Sequence, residues 1–155
     1  MATDWLEYEN AARTVVVRLR GVLGIGQVEG KQRIVGASGA TWEFDAIAWS
    51  DGANNMLVVE ARRHTTSRLK QEHIAALAFR VQDVGASGGI VATPLPMQVG
   101  ANTVAASANI RHILLAPEST PETYLARYLE QSYRGITFAD SLSLGHCIPL
   151  GGELK

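Results

Sequence analysis

Cysteine is almost missing from this chain. The single one, Cys147, has no partner for an internal disulfide, so the fold does not depend on cross-links. An excess of charge of either sign is missing too: 14 Lys and Arg stand against 15 Asp and Glu, and a net charge of -1 excludes a histone-like protein that grips nucleic acid by bulk charge. Any phosphate recognition must therefore come from a local arrangement. No apolar run reads as a membrane helix, because the longest stretch without a formal charge, Val84 to Ile110, is interrupted by Gly85, Gly88, Gly89, Pro94, Pro96 and Gly100. His64, His73, His112 and His146 show no zinc spacing with Cys147. Gly21, Gly24, Gly26 and Gly30 do not follow a strand and open a helix, as a dinucleotide-binding loop would, and no nucleophile-elbow pattern occurs. Without a secretory leader at its start, the sequence reads as cytoplasmic.

What is present is enough for one domain with a real core. A chain of 155 residues buries about 70% of its unfolded surface. Hydrophobic content of 46% against 19% charged excludes wholesale disorder. Trp5, Tyr8, Ala12, Val15, Val16 and Leu19 fall on one side of a helical wheel. They predict an amphipathic helix from Asp4 to Arg20, capped by Thr3 or Asp4 and stopped by Gly21. Lys31 to Val35, Thr41 to Ser50 and Met56 to Arg62 read as strands of an antiparallel meander, separated by turn residues such as Ser38-Gly39. A helix from Ser67 to Val84 ending at Gly85, a buried strand from Gly89 to Thr93, a helix near Gln98 to Asn109 and a strand from His112 to Leu115 complete the pattern. The order is α-β-β-β-α-β-α-β, an α/β sandwich with a central mixed sheet over residues 1–116. Residues 117–155, with a helix expected from Pro121 to Ser132, read as an extension of the same domain.

The second and third strands carry the chemistry. If residues 51–54 form the loop of their hairpin, Ser50 faces Asn55 and the other pairs follow by counting. Trp49 then faces Met56, Ile47 faces Val58, Asp45 faces Glu60 and Glu43 faces Arg62, all on one face of the sheet. Two carboxylates about 4 Å apart repel by about 4 kcal/mol at an effective dielectric near 20. An apolar-flanked pair of this kind calls for a proton or a cation between its members, and a hard divalent metal suits it. A register slipped by two residues would instead separate the acids, leaving Glu60 at a solvated strand end and Glu43 with Arg62 as an ordinary ion pair.

The segment from Ser38 to Ile47, then Leu57-Val58-Val59-Glu60-Ala61-Arg62, the following helix, and Gly88 to Thr93 with Ala101 and Ala105 to Ala108 beyond it, resembles the restriction endonuclease-like PD-(D/E)xK superfamily, nearest its Mrr-type branch. The likeness spans about Tyr8 to Leu115. It implies a nuclease fold in which Asp45 and Glu60 bind Mg²⁺, with Mn²⁺ as a possible substitute, and Glu9 on the first helix completes the site. It also exposes a departure: Arg62 occupies the place of the family's Lys. Arginine offers a planar fork suited to phosphate but cannot act as a base. Lys70 either reaches back to supply the missing ammonium or is simply solvated.

Arg62, Arg63, Arg68 and Lys70 fall within nine positions that contain no acid. Such a strip suits a phosphate backbone, or is a solvated helix entrance. The expectation is therefore a Mg²⁺-dependent DNA nuclease in which Asp45 and Glu60 hold the metal, Glu9 assists and Arg62 contacts phosphate. RNA is the less favoured substrate. The alternative is a catalytically silent nuclease-fold module that binds nucleic acid or another protein. The resemblance also implies a homodimer, since many enzymes of this fold cut duplexes as dimers, or a separate target-recognition subunit; no independent sequence-reading module is visible.

Overall fold

The computed structural model describes residues 2–50, 55–63, 65–116 and 120–123. Helix α1 (Ala2–Arg18) is followed by a short helix α2 (Arg20–Leu23), then by strands β1 (Ile25–Glu29), β2 (Gln32–Val35), β3 (Thr41–Phe44), β4 (Ala46–Ser50) and β5 (Met56–Ala61). Helix α3 (Gln71–Asp83), strand β6 (Gly88–Thr93), helix α4 (Val99–Ser107) and strand β7 (Ile110–Leu114) complete the described order. The main sheet runs β1-β4-β5-β6-β7. Its β1-β4 and β4-β5 pairs are antiparallel, and its β5-β6 and β6-β7 pairs parallel, so the sheet is mixed as expected.

Strand residues alternate between two cores. Ala46, Ala48, Val59, Ala61, Ile90 and Ala92 pack with Tyr8, Ala12, Val15 and Val16 of α1. Small alanines on this face let the helix lie close to the sheet. Burying side chains such as Val15 and Val16 contributes roughly 1.5–3 kcal/mol each. On the other face Ile47, Val58 and Val91 pack with Ile74, Leu77 and Val81 of α3 and with Ala101 and Ala105 of α4. The Tyr8 hydroxyl ties α1 to the far edge by donating to the Leu115 carbonyl at 3.0 Å.

Three expectations need correction. Gly21 does not end the first helical region: the chain turns again through α2, and Gly24, with φ 68°, takes the left-handed cap. The three-strand meander is not one sheet. β2 and β3 form a separate two-stranded hairpin, and the partner of β4 on that side is β1, a strand hidden in the glycine-punctuated stretch. Finally, α3 begins at Gln71, with Lys70 as an extended N-cap, and ends before Gly85, whose φ of 71° fits the expected cap. The loop 51–54 and most of the helix expected from Pro121 to Ser132, with the tail beyond it, lie outside the described residues.

Candidate active site

The β4-β5 register follows the hairpin count from the Ser50 N–H, which donates to Asn55 O at 2.9 Å, through Trp49↔Met56 and Ile47↔Val58 to Ala46↔Val59. It stops one residue short of Asp45. There the chain passes from β3 in the small hairpin to β4 in the main sheet, and the Asp45 N–H donates out of register to Val59 O at 3.1 Å. Asp45 therefore does not oppose Glu60 in a regular cross-strand pair. Its Oδ2 accepts the Ala61 N–H at 2.8 Å, and its Oδ1 lies 3.8 Å from the Lys31 ammonium. Burial lifts the proton affinity of Asp45 above the ordinary carboxylate value; the Ala61 N–H opposes this, while the Glu9 and Glu60 carboxylates add to it.

Glu9 joins Asp45 through the same cation. Lys31 Nζ is 3.2 Å from Glu9 Oε2 on α1 and 3.9 Å from Glu43 Oε1 on β3. Glu43 is otherwise held within the small hairpin, opposite Arg33, whose Nε is 3.3 Å from its Oε2. The expected Glu43–Arg62 pair is thus not formed. A change of sheet at Asp45 has given Glu43 a different strand neighbour.

Glu60 is buried on the α3 face of the sheet. Its Oε2 accepts from Arg62 Nε at 3.1 Å and Nη2 at 3.0 Å, and its Oε1 accepts from Arg80 Nη1 of α3. Arg80 also donates to the Glu43 carbonyl and lies over the rings of Phe44 and Trp42. Arg62 continues the β5-β6 pairing, its N–H donating to Ala92 O at 2.8 Å. Glu60 and Arg62 therefore stand at the carboxyl ends of parallel strands, the edge at which open α/β sheets bind ligands.

The loop that follows carries the rest of the basic strip. Arg63 is half-buried, whereas Arg68 and Lys70 are exposed. Lys70 caps α3, its N–H donating to His73 Nδ1 at 3.1 Å, and it is Lys31 that places an ammonium among the acids. Sequence reasoning missed both Lys31 and Arg80. Arg80 has an obvious local partner, Asp83 three residues on, and this hides its reach to another strand. Lys31 sits in a turn, and no local pattern reveals that α1 and β3 meet there. Among the described residues, no group of three or more His, Cys, Asp or Glu side chains is close enough to form a ready-made metal cage.

No family model matches the chain, and no curated protein does. Solved structures do. The protein of unknown function AF1548 shares the fold at a TM-score of 0.58 and 18% identity, over 78% of this chain and 66% of its own. Can2 from Sulfobacillus thermosulfidooxidans, solved with cyclic tetra-adenylate, does so at 0.55 and 16%, over 79% of this chain and 34% of its own. With both of them the chain shares a mixed α/β fold. A repair endonuclease from Pyrococcus abyssi overlaps more loosely, at a TM-score of 0.44 and 16% identity, over 70% of this chain and 47% of its own. The chain thus spans between 34% and 66% of the lengths of these structures. No helix among its described residues is long and apolar enough to cross a membrane.

Proposed function

We propose that this chain is a nuclease domain of the Mrr type that hydrolyses phosphodiester bonds in DNA with the help of Mg²⁺. The supporting observation is the half-buried Asp45 carboxyl, which shares the Lys31 ammonium with Glu9 and whose proton affinity is raised chiefly by burial and further by Glu9 and Glu60, at the edge where the parallel strands β5 and β6 end.

The donor set suits a hard divalent ion. Its members are carboxylate oxygens, and a monovalent cation, the Lys31 ammonium, already stands among Glu9, Glu43 and Asp45. Glu60 is not saturated by its arginines: a carboxylate has about four acceptor positions, and here Oε2 accepts two N–H groups and Oε1 one. Asp45 and Glu60 would hold Mg²⁺, or Mn²⁺ in its place, with Glu9 as the third acid. When bound, the metal supplies a more acidic water and offsets charge on the scissile phosphate. The chain's own groups would do the rest. Arg62 engages Glu60 through Nε and Nη2, which leaves its Nη1 outside that pair and able to meet a phosphate oxygen. Arg63, Arg68 and Lys70 would follow the backbone of the nucleic acid, and a second copy or a partner subunit would choose the target.

One observation favours a second reading. Both oxygens of Glu60 are already served by protein cations, so the acids can fold without a metal. A silent nuclease-fold module that binds nucleic acid or another protein would look the same. The test is a cleavage assay on methylated, unmethylated, single-stranded and branched DNA with Mg²⁺ or Mn²⁺, with Glu60→Ala and Arg62→Lys beside the natural chain. Cleavage by the natural chain that is lost in Glu60→Ala upholds the nuclease. No cleavage of any substrate, together with no rise in Tm on adding Mg²⁺, leaves the silent module. Activity gained by Arg62→Lys would mark a site weakened by its arginine.

A further inference from the structure

Lys31 meets its acids through the fold rather than through sequence neighbours. It follows Gly30 in the turn between β1 and β2, which comes near the Arg13 side chain of α1: a Cβ at Gly30 would stand 2.9 Å from Arg13 Nη1. Glu9 lies one helical turn before Arg13, and the Lys31 ammonium is 3.2 Å from Glu9 Oε2 and 3.8 Å from Asp45 Oδ1. Glu43 has Arg33 as well as Lys31, whereas Glu9 and Asp45 share Lys31. Two acids and one monovalent cation leave a charge deficit.

The tether is easily loosened. The Lys31 side chain is 48% exposed on a flexible four-carbon stem, and ion pairs this open are weakly held. A divalent ion brings twice the charge to the same carboxylates.

We propose that Lys31 is a built-in competitor for the divalent cation, so that metal enters by displacing this ammonium and the affinity of the site for metal is set by Lys31. The identity of the competing ion rests on the metal-dependent reading above. Removing the ammonium while keeping the stem should then tighten metal binding, and moving to a bulkier cation should not. The effect expected for Lys31→Met is a fall of about two- to fivefold in the Kd for Mn²⁺. In EDTA this variant should melt below the natural chain, because two acids then lack their cation, and added Mn²⁺ should restore it.

The experiment measures Mn²⁺ binding by electron paramagnetic resonance of the free ion. It compares the full-length natural chain, Lys31→Met, Lys31→Gln, Lys31→Arg and the double variant Lys31→Met with Asp45→Asn, with melting curves in parallel. Tighter binding in Lys31→Met and Lys31→Gln, lost again in the double variant and absent in Lys31→Arg, upholds the proposal. Equal affinity in the natural chain and both neutral variants overturns it while leaving the metal-dependent reading intact. Binding by the neutral variants alone upholds the competitor and removes that reading for the natural chain. Binding by none of them overturns both.

Discussion

Arg80 on α3 reaches across the layer to Glu60 on β5, its guanidinium 4.6 Å from the centre of the Phe44 ring and 5.4 Å from that of Trp42. The pair is closed from water, with side-chain exposures of 15% for Arg80 and 7% for Glu60. Removing Arg80 leaves the buried Glu60 with Arg62 alone, so Arg80→Ala should destabilise the protein by about 1–3 kcal/mol in urea unfolding. Replacing both, as Arg80→Met with Glu60→Leu, should recover part of that loss, since only the partly exposed Arg62 then lacks its carboxylate. A loss within 0.5 kcal/mol for Arg80→Ala, roughly the range of surface substitutions, would show that Arg62 alone holds Glu60.

Asp45 works against the fold at neutral pH. Its folded proton affinity is raised, chiefly by burial, so the folded state binds a proton more readily than the unfolded state does. Ionising it therefore costs stability, and that cost appears as pH rises from the unfolded value of 3.8 through the folded value. Asp45→Asn retains an oxygen for the Ala61 N–H and removes the charge. It should melt above the natural chain at pH 7, and the gap should close as pH falls below the unfolded value. A variant that melts lower at pH 7 would mean that the Lys31 contact outweighs the burial.

The main sheet was largely legible because its signals are local. Trp49 with Met56 and Ile47 with Val58 can be buried together in only one register, and the register count from Ser50 and Asn55 holds along the whole of β4. It failed at Asp45 because a run of apolar and aromatic residues from Thr41 to Ser50 does not announce that its first half leaves the sheet. β1 was missed for a related reason: Gly26 and the exposed Gln27 dilute its alternation, and its pairing with β4 lies twenty or so residues away along the chain. Asp45 and Glu60 are candidates from the hairpin count and Glu9 from the family resemblance. Their cations were not legible, since Lys31 and Arg80 acquire their partners only when α1, the small hairpin and α3 converge on β5.

Asp83 shows how that small hairpin is fastened. Its carboxylate accepts the Trp42 indole N–H at 2.7 Å, the Ser38 hydroxyl at 2.7 Å and the Ser38 N–H at 2.8 Å, while its carbonyl accepts the Ala37 N–H at 2.8 Å. Gly36 leaves room for it, since a Cβ at that position would overlap the carboxylate. These bonds, Trp42 first and then Ser38, hold the Asp83 proton affinity below the ordinary value. A lowered acid contributes stability above its unfolded value of 3.8, lost as pH falls through the folded one, opposite in sign to Asp45. Asp83→Asn and Gly36→Val should both lower Tm at pH 7 and release the hairpin. Faster amide exchange at β2 and β3 and a red-shifted Trp42 emission would report this, whereas unchanged exchange would place the hairpin's anchor elsewhere.

Arg68 and Lys70 are exposed and stand on the loop that leaves the carboxyl end of β5, so their contribution to DNA binding should be electrostatic and separable from folding. Each phosphate neutralised on a duplex contributes about 0.9 to the slope of log K against log salt. Replacing both by Gln should weaken binding to every duplex alike and reduce that slope by about 1.8 if each side chain meets one phosphate. Stability should be unaffected, because neither side chain is buried and the Lys70 N–H keeps its bond to His73 Nδ1 whatever side chain it carries. Fluorescence anisotropy on one duplex between 50 and 200 mM salt, with melting curves in parallel, reads both quantities. An unchanged slope would move the nucleic acid off this loop, and a changed Tm with an unchanged slope would make the two cations structural.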